Sequence, residues 1–253
     1  MRIVKSAIIA FSTYSRLPMP QVEWTDENRK YAMCFFPLVG AVIGALIWLW
    51  LLVCRWLEIN ALIQGAVGAV LPLLVTGGIH MDGFMDTADA LASWQPKEKK
   101  LEILKDSRVG AFAVMGCASY MLLLTAFLSA AGPDVGAQTG VCFVLSRTMS
   151  AWALTVLRSA RPEGMLDKFA SAAKKRAVSV SGIIYALACI AVWCLFSGLL
   201  AAICIALTAL GTLYYRHMAY KQFGGVTGDL AGWYSQTLEL LLTAAVVMGG
   251  KLL

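Results

Sequence analysis

The chain has 253 residues, 59% of them hydrophobic and 14% charged, with a mean hydropathy of +0.72 and a net charge of +6. Soluble domains carry about 25% charged residues, so this composition excludes one and predicts a single all-α unit over residues 1–253 that crosses a lipid bilayer several times. The basic residues lie in loops between apolar runs without a nucleic-acid-binding signature, which argues against nucleic acid, and seven cysteines without CxxC spacing beside only two histidines argue against structural zinc.

In chain order, residues 1–30 read as a cytoplasmic lead-in. Ile3 to Phe11 suits a short interfacial helix, ended by Pro18 and Pro20 in SRLPMP. Residues 6–15 are uncharged but too short to span, and no A-x-A site follows, so no cleavable signal peptide is expected. The first span is residues 31–54, with Trp48, Trp50 and Trp56 as interface anchors and Pro37, Gly40 and Gly44 allowing a kink or close packing. A second span over 61–78 delivers a segment unlike anything else in the chain.

That segment, Gly77 to Gly110, holds six of the fifteen acidic residues and His80. In a helix, Asp82, Asp86 and Asp89 fall within about a 60° arc of one face. Carboxylates stacked so closely repel one another. Two readings follow: a solvated acidic turn, or oxygen ligands gathered around a hard cation such as Mg²⁺. Gly77, Gly78 and Gly83 let backbone approach a ligand, and Lys105, Asp106 and Arg108 follow with phosphate-binding chemistry. His80 is either a general base or a hydrogen-bonding tip at the interface.

Further spans are predicted over 110–131 and 139–158. Residues 177–215 are 39 uncharged positions, roughly 58 Å as one helix, so two crossings with a turn at Ser197-Gly198 fit better. A last span covers 232–250, making about seven. With the N-terminus inside, the inner segments hold 18 of the 21 basic residues, among them Lys168. The acidic segment, the 158–176 loop and the 216–229 loop then share one face. On that face Gly224-Gly225-Val226-Thr227-Gly228-Asp229 is a second glycine-rich turn. Its backbone suits phosphate, and Thr227 and Asp229 offer oxygens to a metal, while a plain loop with Asp229 capping the next helix explains it equally well in isolation. Within the spans, Glu239 calls for a partner and Arg147 is the natural one, as a structural pair or as substrate ligands.

GGIHMDGFMDTADAL, LKDSRVGAF and GGVTGDLAG, with the early SRLPMP and the FFPLVGAVIG of the first span, resemble the cobalamin synthases, also called adenosylcobinamide-GDP ribazoletransferases. The resemblance runs in order over nearly the whole chain. It implies a Mg²⁺-dependent multi-pass enzyme of the bacterial inner membrane with a cytoplasmic active face. Its expected reaction joins adenosylcobinamide-GDP to α-ribazole or its 5′-phosphate and releases GMP. His80, Asp82, Asp86, Asp89, Asp106, Arg108, Thr227, Gly228 and Asp229 match the family's polar signature. Two departures stand out: Ala90 where the family commonly has glycine, and Gln236 where it commonly has glutamate, which argues against a metal role at 236.

Taken together, the metal ligands expected are Asp82, Asp86, Asp89 and Asp229. Catalytic roles fall to His80, Asp82, Asp86 and Arg108, and substrate contacts to Lys105, Asp106, Arg108, Gly225, Thr227, Gly228, Arg147 and Glu239. The expected partners are the two substrates and the bilayer, and a homo-oligomer is compatible with the sequence. Rival readings are a CDP-alcohol phosphotransferase, whose motif has an Ala-Arg pair that DGFMDTAD lacks, a membrane prenyltransferase, and an ion-coupled transporter, for which no internal repeat is evident.

Overall fold

The computed structural model describes residues 2–161 and 173–252, so Lys168 and most of the predicted 158–176 loop lie outside the described residues. Helix α1 (Arg2–Tyr14) leads into a short α2 (Asp26–Arg29), which Thr25 caps through the Asn28 N–H. There follow α3 (Ala32–Trp56), α4 (Ala61–Thr76), α5 (Ile79–Ala92), α6 (Lys97–Ile103), α7 (Ala111–Ala130) and α8 (Gly136–Val156). The chain closes with α9 (Lys175–Phe196), α10 (Gly198–Phe223) and α11 (Gly228–Leu252). The turn expected at Ser197-Gly198 is present, and Ser197 caps α10 by accepting from the Leu200 N–H.

Glycine sets the closest helix approach. A Cβ on Gly44 would sit 2.5 Å from the Gly140 carbonyl oxygen, and one on Gly40 would lie 2.2 Å from that of Phe143, so α3 lies backbone to backbone on α8. Contacts between chain ends sort the helices by direction. At one end Arg55 pairs with Asp134 at 2.5 Å, and Gln64 donates to the carbonyls of Leu128 and Ala131. At the other, Lys100 donates to Gln222, Arg158 to Gly224 and the Lys174 amide to Lys30. The acidic segment, residues 158–161 and the 224–229 turn all occupy this second end.

By length and apolarity, four helices among the described residues suffice to cross a membrane: α3, α7, α9 and α10. Helices α4 and α5 qualify together as a fifth, bent by 99° where Gly77 and Gly78 take left-handed φ of 65° and 81°. The expected seven differ from this by α8 and α11. Both are long enough, but they line the interior and bury polar groups there: Gln138, Thr139, Ser146 and Arg147 on α8, and Ser235, Gln236, Glu239 and Thr243 on α11. Neighbouring helices take their lipid-facing role, so sequence apolarity understates them.

At the centre of the bundle the Arg147 guanidinium donates to Glu239 Oε2 at 2.7 Å, with both side chains at most 1% exposed. Tyr120 donates from α7 to the other Glu239 oxygen at 2.5 Å. The expected partnership of Arg147 and Glu239 therefore exists, with a third member the sequence did not suggest.

Candidate functional site

The site lies where α5 crosses the N-terminus of α11. The bend at Gly77-Gly78 turns α5 across the end of the bundle. Two glycines then let the helices touch: a Cβ on Gly83 would stand 2.8 Å from the Asp229 backbone, and one on Gly232 would stand 3.0 Å from the His80 carbonyl. This contact brings residues nearly 150 positions apart together. The carboxyl of Asp86 is pushed up to about 6, by partial burial first and then by the charges of Asp82, Asp229 and Asp89. Asp229 is likewise raised by burial, against the pull of the Arg161 guanidinium 3.9 Å away.

The four acids are not equivalent. Both oxygens of Asp89 accept backbone N–H bonds, from Gly110 at 2.6 Å and Ala113 at 2.8 Å, so this carboxylate closes the N-terminus of α7. Asp82 is exposed, and Asp86 and Asp229 are partly so. Among the described residues, no three His, Cys, Asp or Glu side chains converge closely enough to hold an ion unaided. Negative charge is nevertheless concentrated here, since Asp82, Asp229 and Asp89 all lie close enough to act on Asp86.

The glycine-rich turn is held by its own neighbours. Gly224, at φ 81°, ends α10. The Val226 amide donates to Arg158, and the Ala160 amide donates to Val226. A Cβ on Gly225 would fall 2.5 Å from the Arg158 carbonyl oxygen, so this glycine accommodates the 158–160 segment. Thr227, not Asp229, caps α11, accepting from the Leu230 N–H at 3.2 Å. Asp229 is thereby left facing α5. Gly228 opens the helix beside it.

The basic residues divide. Arg108 grips Asp106 through Nε and Nη2, at 3.0 Å to Oδ1 and 2.6 Å to Oδ2, and this pairing holds Asp106 down at about 2. Both belong to the exposed turn ahead of α7, and Lys105 is exposed next to them. Among the described residues, Arg161 is the cation paired with one of these four acids, Asp229. Its guanidinium also donates to the Leu101 carbonyl, tying α6 to the site. Reading the sequence by topology classed Arg161 as a charge of the inner face and missed this role; its position after Arg158, opposite the glycine turn, was the available signal.

His80 is buried, and burial followed by the charge of Arg147 lowers its pKa to about 3. Neither ring nitrogen has a hydrogen-bond partner among the described residues. The imidazole stacks on Phe36, with centroids 5.2 Å apart, and beyond it on Tyr14. These rings, with Met33 and Leu154, wall a cavity of ≈ 260 Å³ that Asp82 and Asp229 border. A wider groove of ≈ 780 Å³ between α4 and α5 runs past Arg16, Leu74 and Met85 and also ends at Asp82. Two cavities of unequal size thus meet at one carboxylate, an arrangement suited to joining two ligands.

A family model described as cobalamin-5-phosphate synthase matches residues 6–247. An adenosylcobinamide-GDP ribazoletransferase of Lachnoclostridium phytofermentans is 38% identical over 248 residues, covering 98% of this chain and 95% of the relative. Proteins of the same name from Brevibacillus brevis and Desulfitobacterium hafniense are 33% and 32% identical. The first covers 94% of this chain and 96% of the relative, and the second 92% of each. No solved structure matches the chain.

Proposed function

The chain belongs to the cobalamin-5-phosphate synthase family, and from that premise we propose that it is an adenosylcobinamide-GDP ribazoletransferase. In this reaction a ribose hydroxyl of α-ribazole, or of its 5′-phosphate, attacks the phosphorus that carries adenosylcobinamide. The bond from that phosphorus to the GMP oxygen breaks, and adenosylcobalamin or its phosphate leaves with GMP. The observation that carries the reading is the meeting of Asp82 and Asp86 on α5 with Asp229 on α11, at the junction of a small cavity and a large groove.

Hard divalent cations fit this donor set. Mg²⁺ binds through one or two carboxylates completed by waters and substrate phosphates, so a site that closes only with a diphosphate present agrees with carboxylates that do not close by themselves. One or two of Asp82, Asp86 and Asp229 would hold it, with substrate phosphates and water completing the shell. When bound, such an ion would neutralise phosphate oxygens and steady the leaving group. Asp89 is committed to α7 and fixes the helix that presents the other two. Arg161 offsets charge beside Asp229, and Arg108 and Lys105 stand at the exposed edge to meet the nucleotide's phosphates. Gly83 and Gly232 keep the acids close enough to act together. The hydroxyl proton would pass to a carboxylate of this group that the cation leaves free. Positioning and electrostatics supply most of such catalysis.

The same reading places the protein in the bacterial inner membrane as a seven-crossing bundle, with the acidic end in the cytoplasm, where the basic residues accumulate. The test is GMP release from adenosylcobinamide-GDP and α-ribazole by purified protein with Mg²⁺. Asp82→Asn and Asp86→Asn are each expected to lower turnover by about 100-fold or more while the protein still inserts and folds. Near-normal turnover in both variants refutes the assignment.

A further inference from the structure

Resting on the transferase reading, we propose that the small cavity beside His80 binds the aromatic base of the acceptor nucleoside and that His80 is its hydrogen-bonding contact. Size makes the first selection. At ≈ 260 Å³ the cavity lies below the ~300–1,000 Å³ that enclose drug-sized ligands, so a corrinoid does not enter it. The base of α-ribazole is a benzimidazole: flat, bicyclic and apolar apart from one free ring nitrogen. The walls match those properties, with Phe36, Tyr14 and Leu154 supplying apolar surface and the rings of Phe36 and His80 already stacked face to face.

His80 supplies the second, independent observation. It is 5% exposed, lines this cavity, and has two ring nitrogens without partners among the described residues. Buried polar atoms left unpaired cost stability unless something else repays it. A neutral imidazole carries one donor and one acceptor. The donor meets the free nitrogen of the benzimidazole, and the acceptor takes a hydroxyl of the attached sugar. Asp82 and Asp229 also line the cavity, so a base seated within it sets its ribose against the acids. His80 is on this account a specificity-determining residue for the acceptor.

Steady-state kinetics of the full-length protein test it, with α-ribazole and adenosylcobinamide-GDP varied in turn. His80→Phe keeps the aromatic stack and removes two unpaired polar atoms, so it folds at least as well, checked by thermal unfolding. Its KM for α-ribazole is expected to rise about ten-fold or more, the worth of a lost buried hydrogen bond, with KM for adenosylcobinamide-GDP unchanged. Leu154→Trp, which fills the cavity from α8, is expected to give the same split. Unchanged KM for α-ribazole in both variants overturns the proposal. So does a fall in kcat at saturating α-ribazole with KM unaltered, which moves His80 to proton transfer. A wild-type protein that releases no GMP removes the transferase reading itself, an outcome separate from failure of the cavity assignment.

Discussion

At the scale of single residues, Asp89 marks how like-charged neighbours come to different tasks. It shares a helix face with Asp82 and Asp86, yet its oxygens are drawn to the open amides of α7. Asp89→Ala is expected to destabilise the protein by about 1–2 kcal/mol, the usual cost of losing a helix N-terminal cap, with Asp89→Asn in between. Thermal unfolding in detergent measures it. Lost turnover at unchanged stability in Asp89→Ala would instead group it with the carboxylates proposed to bind a cation. The spacing DxxxDxxD was legible as one acidic face because that follows from helical geometry alone. Which acid would be spent on the scaffold was not legible, because the Gly110 amide reaches Asp89 only once α7 has docked. Arg161 was hidden for the same reason: only folded contacts separate a cation of the inner face from one beside Asp229.

At the scale of elements, the helices were read well where apolarity is continuous and less well where it is broken. The uncharged run 177–215 split at Ser197 as its length demanded. Helices α8 and α11 gave a weaker signal because they hide polar side chains inside the bundle. Their pairing through Arg147 and Glu239 was predictable from the rarity of charge in a span, whereas Tyr120 was not, since a tyrosine in an apolar helix has no distinguishing spacing. Breaking that pair from one side strands a buried charge. Glu239→Leu alone is expected to cost about 3–5 kcal/mol, while Arg147→Met with Glu239→Leu costs far less. Unfolding of the single and double variants reads the difference. Turnover retained in the double variant assigns the pair to the bundle; turnover lost with the fold intact assigns it to substrate.

At the scale of the whole molecule, the basic residues and the end contacts agree on which loops lie together. Labelling tests which compartment each end faces. In a cysteine-free background, Ser107→Cys and Lys221→Cys are expected to react with a membrane-impermeant maleimide only in inside-out vesicles, and Glu58→Cys only from outside intact cells. Labelling of Ser107→Cys and Glu58→Cys from the same side contradicts the arrangement. The Gly83–Asp229 and Gly232–His80 approaches bear on biosynthesis as well. Because Asp229 leaves the ribosome nearly 150 residues after Gly83, a nascent chain assembles the acidic junction only once α11 has followed α5 into the bundle.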